Sequence, residues 1–498
     1  MDPGPVTEES SSWGRRTRGG LMWSIAAFAG GRFFTFVAVA ILARALVPAE
    51  FGVVAATLVY LAVLELASDL GMKATVVYEQ ERGFSERLHT AFTVNLIIAV
   101  LLTVVGVLLA PAVAGFFRIE GYDGLFRLAA LTLLFTALGN IHDSILLRDL
   151  DFRKRTVPLL ARAIVRGAVS IALALAGLGA DSLVLGMLAG AFVFTVMQWR
   201  LTRFRPRLRI DRTILRSMAA YGSAQALLGV VALVATRVDT AVVGRVLGER
   251  SLGLYSIAFR VPELVLESIA WQVSLVSFPA LSNKRAEDRA GLNRAALKIV
   301  RYQALYSFPV AVGVAVLAVP LTVTVFSDTW REAGALLVPV SLMLGAYTVA
   351  IPMGEVFRAI GRQRWLIALA LLQLPALIVG VILAAQEGVV AVAWARAGAV
   401  VLHAVLTFAL VMRVQRMGVR AVLAALAPGL VAALGVAAAA GAVRLSWPDA
   451  SLGPLLAGTA AGAAGGALAV RVLAPGAWRQ VLHQFADIRE MRRGASAA

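Results

Sequence analysis

Six arginines stand inside long apolar runs of this 498-residue chain: Arg32, Arg162, Arg166, Arg237, Arg260 and Arg396. A charge at a bilayer centre costs roughly 2.5–3.5 kcal/mol on insertion scales, so such residues are kept for a use. Guanidinium stays protonated and offers a planar fork of donors that matches phosphate oxygens. The six therefore read as a cationic lining suited to an anionic ligand. Several also have a bland reading. Arg32, mid-run beside Gly30 and Gly31, could sit in a buried ion pair. Arg162 and Arg166, spaced i, i+4 and so on one helix face, could snorkel towards the membrane surface. Arg237 could pair with Asp239, while Arg44 and Arg245, at run ends, read as anchors. The acids Glu65, Asp239, Glu267 and Glu355 lie in the same runs. They suit a proton relay, a Na+ site or charge pairing with the arginines. Asp69, followed by Gly71, reads as a helix terminus.

Other chemistry finds little support. The histidines, His89, His142, His403 and His483, are far apart and without paired ligand spacing, and there is no Cys. Neither a metal site nor a disulfide is expected. No phosphate-cradling glycine loop is present, and the serines lack a base at recognisable spacing. No catalytic role and no organic cofactor is expected. A coupling ion, H+ or Na+, stays open.

The elements that must position these charges follow from composition. Hydrophobic residues make up 60% of the chain and charged ones 15%, with a mean hydropathy of +0.82. Soluble proteins carry about 25% charged residues, so a soluble enzyme or a disordered regulator is excluded. Apolar runs predict helices at 20–45, 51–71, 90–111, 124–146, 157–178 and 181–200. A second set is predicted at 217–243, 252–281, 299–326, 333–356, 365–385 and 389–412, with a last pair at 421–443 and 453–474. Residues 1–19 and 475–498 are polar tails. Segment 20–45 is too long for a signal-peptide core and reads as a retained first helix.

The net charge of +18 could suggest nucleic acid. Orientation explains it better. With both termini inside, 34 of the 47 basic residues fall in inside segments and only 7 in outside ones, as the positive-inside rule requires. The run Arg200–Arg216 reads as an amphipathic helix on anionic lipid.

The chain also looks duplicated. Leu42-Ala43-Arg44-Ala45-Leu46 precedes Phe51-Gly52, and 201 residues later Val243-Gly244-Arg245-Val246-Leu247 precedes Leu252-Gly253. A second echo joins Arg148–Lys154 to Arg358–Arg364 at an offset of 210. A period of six helices makes the halves parallel, about an axis along the membrane normal. The expected architecture is an all-α polytopic membrane protein of about fourteen transmembrane helices. Its parts are a six-helix lobe at 20–200, a basic cytoplasmic linker at 201–216, a second lobe at 217–412 and a helix pair at 413–474.

Several stretches carry a family likeness: Leu42–Gly52, Asp69-Leu70-Gly71-Met72, Val238–Gly248, Gly253–Arg260 and Phe278-Pro279-Ala280-Leu281-Ser282. Over residues 20–415 the chain resembles Wzx-type lipid-linked oligosaccharide flippases of the multidrug/oligosaccharidyl-lipid/polysaccharide exporter superfamily. The resemblance implies alternating access by two lobes in the bacterial inner membrane. It also implies an undecaprenyl-diphosphate-linked oligosaccharide as substrate, in exopolysaccharide or surface-polysaccharide synthesis. Partners would be membrane lipids, and the polymerase and glycosyltransferases of the same pathway. A peptidoglycan-precursor flippase and a cation-coupled multidrug exporter of the same superfamily are the alternatives. A polysaccharide polymerase ranks last because the external segments are short.

Overall fold

The computed structural model describes residues 29–68, 84–149, 151–480 and 482. Among the described residues there is no strand, and eleven helices are long and apolar enough to cross a membrane. The chain is an all-α polytopic membrane protein. The first helices are α1 (29–45), α2 (Pro48–Ser68), α3 (Phe84–Phe117), α4 (Asp123–Arg148, broken at Leu131), α5 (Phe152–Leu175) and α6 (Asp181–Leu201). There follow α7 (Arg212–Val242), α8 in two main pieces (Gly248–Ala258 and Ser268–Glu287), α9 (Arg289–Val316) and α10 (Ala333–Ala359). The last four are α11 (Arg364–Ala384), α12 (Val389–Gln415), α13 (Val419–Ser446) and α14 (Leu452–Leu473). Two compact units divide the chain, Met1–Ser256 and Ile257–Ala498. The Asp69–Met72 motif, the start of the first helix, the N-terminal tail, most of the C-terminal tail and His483 lie outside the described residues.

Charge does not stop a helix where apolarity does. The expected loop between 281 and 299 is almost wholly helical, because Ala, Arg, Lys and Leu all favour helix whatever the solvent. Only Asp288 interrupts it. Its extended backbone and a carboxylate accepting the Gly291 N–H cap α9.

The basic linker departs from the surface helix expected of it. Residues 202–211 are not helical. The run Arg203-Phe204-Arg205-Pro206-Arg207-Leu208-Arg209-Ile210 alternates with period two, and Pro206 removes a helical donor. Alternate N–H groups are taken by the first turns of α3. Arg207 donates to His89 Nδ1 at 2.9 Å, Arg209 to Thr93 Oγ1 at 3.1 Å and Asp211 to Thr90 Oγ1 at 3.1 Å. The Phe204 ring stacks on His89 at 5.2 Å. Asp211 then caps α7, and the N–H groups of Ile214 and Thr213 hold its carboxyl below the usual range. This strap predicts a protease phenotype. Removing its acceptor in His89→Ala frees an extended segment rich in trypsin sites, and we expect cleavage within 203–209 to quicken about tenfold, roughly one lost hydrogen bond. A time course of limited trypsinolysis checks it, and an unchanged rate would deny the strap its latch.

Packing between helices relies on missing side chains. A Cβ on Gly435 of α13 would lie 2.4 Å from the Gly465 carbonyl oxygen of α14, and one on Gly465 would lie 2.6 Å from that of Gly435. A Cβ on Gly429 would lie 2.4 Å from the Ala304 oxygen of α9. Small residues let membrane helices approach this closely, and α13 thus joins the C-terminal pair to α9.

The duplication has a physical counterpart. A Cβ on Gly52 would fall 1.8 Å from the Glu249 carbonyl oxygen, and a Cβ on Gly253 1.8 Å from that of Pro48. The offset of 201 relates both the glycines and the carbonyls.

Candidate functional site

In the first unit α1, which bears Arg32, adjoins α5, which bears Arg162 and Arg166. The site of a Cβ on Gly31 of α1 is 3.8 Å from Leu160 of α5, and Gly167 of α5 receives Phe34 and Ala38 of α1. This brings Arg32 onto the helix beside Arg162 and Arg166, all three half-buried. The other side of α5 meets α6. Cβ atoms on Gly186 and Gly190 would lie 2.7 and 2.8 Å from the carbonyl oxygens of Arg166 and Arg162. The Arg162 guanidinium sits 5.6 Å over the Phe194 ring of α6. Glu65 of α2 lies within electrostatic reach of Arg162 and is exposed rather than deeply buried. Among the described residues, three arginines and Glu65 thus stand on neighbouring helices of an apolar unit, a set of side chains that could receive an anion. Sequence reasoning missed Gly186-Met187-Leu188-Ala189-Gly190, although its small-x-x-x-small spacing is a packing signal in itself.

The second unit holds a smaller group. Arg396 of α12 lies 5.8 Å over the Phe259 ring, where α8 breaks. The neighbouring Arg260 pairs with Glu263 at 3.7 Å. Past Pro262 the chain forms a π-helical turn, Glu263–Glu267. Tyr306 of α9 donates its O–H to the Val265 carbonyl within it. Single π turns of this kind recur at functional sites, and this one interrupts α8 next to two arginines.

Other predicted residues are separated. Asp239 is buried and accepts a 2.5 Å hydrogen bond from Tyr255 O–H, whereas Arg237 is exposed. Residues two apart on a helix do not face each other. Arg245 donates to the Phe116 carbonyl at 2.8 Å and covers the Phe116 ring at 5.4 Å, a cation at the C-terminal end of α3. Glu355 is buried, accepts from Ser274 O–H at 2.6 Å and pairs with Arg358 at 3.1 Å. Glu267 is half-buried in the π turn. Among the described residues no three His, Cys, Asp or Glu converge as a metal site would need.

Comparison with known proteins shows the family and the fold. The succinoglycan biosynthesis transport protein ExoT of Rhizobium meliloti (strain 1021) is 26% identical over 66% of this chain and 66% of its own length. The chain thus spans just under two thirds of that relative. The lipopolysaccharide biosynthesis protein WzxC of Escherichia coli (strain K12) is 22% identical over 75% of this chain and 77% of its own. In fold, the chain is similar to the lipid II flippase MurJ in its inward closed conformation. The TM-score is 0.73 at 15% identity, covering 91% of this chain and 99% of that one. The family described as polysaccharide biosynthesis protein matches residues 41–335, more than half of the sequence, and the chain belongs to that family.

Proposed function

We propose that the chain carries an undecaprenyl-diphosphate-linked oligosaccharide repeat unit from the cytoplasmic to the outer leaflet by alternating access. The product would feed exopolysaccharide or surface-polysaccharide synthesis, with the chain in a bacterial inner membrane and both termini inside. One observation carries this reading. Arg32, Arg162 and Arg166 stand on adjoining helices of an apolar unit, with Glu65 within electrostatic reach of Arg162. A diphosphate cannot cross about 30 Å of hydrocarbon alone. These guanidinium groups would hold it while the prenyl tail stays in lipid. Moving the anion outward gains about 2.3 kcal/mol per charge per 100 mV of potential. Glu65, beside Arg162, is where a coupling H+ or Na+ would act. The names of the two relatives, both in polysaccharide biosynthesis, support the substrate class. A polymerase and glycosyltransferases of one pathway would be the functional partners.

Depletion in the native host tests the reading. Lipid-linked oligosaccharide is expected to accumulate on the cytoplasmic leaflet, out of reach of glycosidase applied to the outer face. Normal arrival at the outer leaflet would overturn it.

A further inference from the structure

We propose that Gly52 and Gly253 form the contact by which the outer end of the transport pathway closes, and that this contact parts in every cycle. The inference rests on the alternating-access reading above and on a reciprocity in the structure. The first residues of α2 and of α8 lie together in the first unit. The Cβ missing from Gly52 would meet the Glu249 oxygen at 1.8 Å, and the one missing from Gly253 would meet the Pro48 oxygen at 1.8 Å. Because Pro48 and Glu249 are related by the same offset as the glycines, the two close approaches are one contact made twice. Such self-complementary contacts form where a two-fold axis passes. Here it is the pseudo-two-fold axis of the duplication.

The neighbouring positions obey the same relation. Phe51 matches Leu252 and Val53 matches Leu254, and all four are buried. At the centre, however, the glycines present backbone alone. Glycine CH groups against carbonyl oxygens make weak hydrogen bonds, with no side chains to interdigitate. Close glycine fits also serve helices that stay packed, as at Gly435 and Gly465. What sets this one apart is that it joins corresponding positions of the two repeats, where alternating access requires a joint that opens and recloses. Alanine at either glycine cannot be accommodated without moving the other backbone away.

The chain has no Cys, so introduced thiols report without background. In the full chain in oriented proteoliposomes, Ala56→Cys, one turn inward of Gly52 on α2 and fully buried, would be labelled by a membrane-impermeant maleimide added outside. We expect Gly253→Ala to raise that labelling rate at least about tenfold, by shifting the population towards the open state. Gly52→Ala should match it, and the double variant should add little, since one wedge suffices. Unchanged labelling in folded Gly253→Ala, or divergent single variants, would overturn the proposal. Should the alanine variants not fold, Ala49→Cys with Arg250→Cys offers a second route in an otherwise unaltered chain. Bridging them with a short, reducible bis-thiol reagent is expected to stop flipping, and reduction to restore it. Normal flipping in the bridged protein would show that the contact never parts. Absence of flipping before bridging would instead count against the transport reading itself.

Discussion

Replacing Arg162 and Arg166 together by glutamine is expected to slow outward transfer of a prenyl-diphosphate glycan about 100-fold, with little loss of folded protein. Each guanidinium can give a charge-assisted hydrogen bond worth about 1.5–3 kcal/mol, and the lower figure counted twice gives the factor quoted. Folding should suffer less, because Arg162 is held by a ring at 5.6 Å and a neighbouring carboxylate, not by a dense hydrogen-bond network. Lysine at both positions keeps the charge but loses the bidentate fork. It should recover transfer only in part, about tenfold below the native rate. Initial rates in proteoliposomes, set beside thermal unfolding in the same detergent, separate the two effects. Loss of folded protein in step with loss of transfer would make these arginines structural.

The second large effect needs no change of charge. Leucine at Gly186 would thrust a Cβ to 2.0 Å from Ser170 Oγ and 2.7 Å from the Arg166 carbonyl oxygen. The helices α5 and α6 must then separate. Overpacking of this kind costs about 1–3 kcal/mol. Gly435→Leu is the matching control, since its Cβ would also strike a backbone oxygen, that of Gly465, but between α13 and α14. Both variants should lower the unfolding midpoint by several degrees, roughly what 1–3 kcal/mol implies. Only Gly186→Leu, which displaces the arginine helix, should also cut transfer per folded molecule, by about tenfold. Equal transfer losses would show that α5 position is not what matters.

Helix placement was legible because apolar runs end in charge or glycine. Segment 181–200 is found as Asp181–Leu201 and 365–385 as Arg364–Ala384. Where the reading relied on apolarity alone it stopped short, and α8 and α9 continue through a charged stretch that helix propensity supports. In the linker the density of arginines matches a basic surface helix, but their spacing does not. Period two and Pro206 together describe an extended, non-helical segment. Within the site, which residues bear charge could be read, but not which way they face. Asp239 turns to Tyr255, sixteen residues on and past the corner at Gly248 with its positive φ, rather than to Arg237. The rings of Phe194 and Phe259 under two of the arginines depend on packing between helices, which no local pattern records.

Transfer of a prenyl-diphosphate oligosaccharide by the purified chain in sealed vesicles tests the central claim most directly. With the inside negative, outward transfer is expected to proceed, to accelerate with the potential and to collapse in the Arg162→Gln, Arg166→Gln variant. Transfer that is absent in the native chain, or equally fast without those two arginines, would contradict a cationic path for a lipid diphosphate.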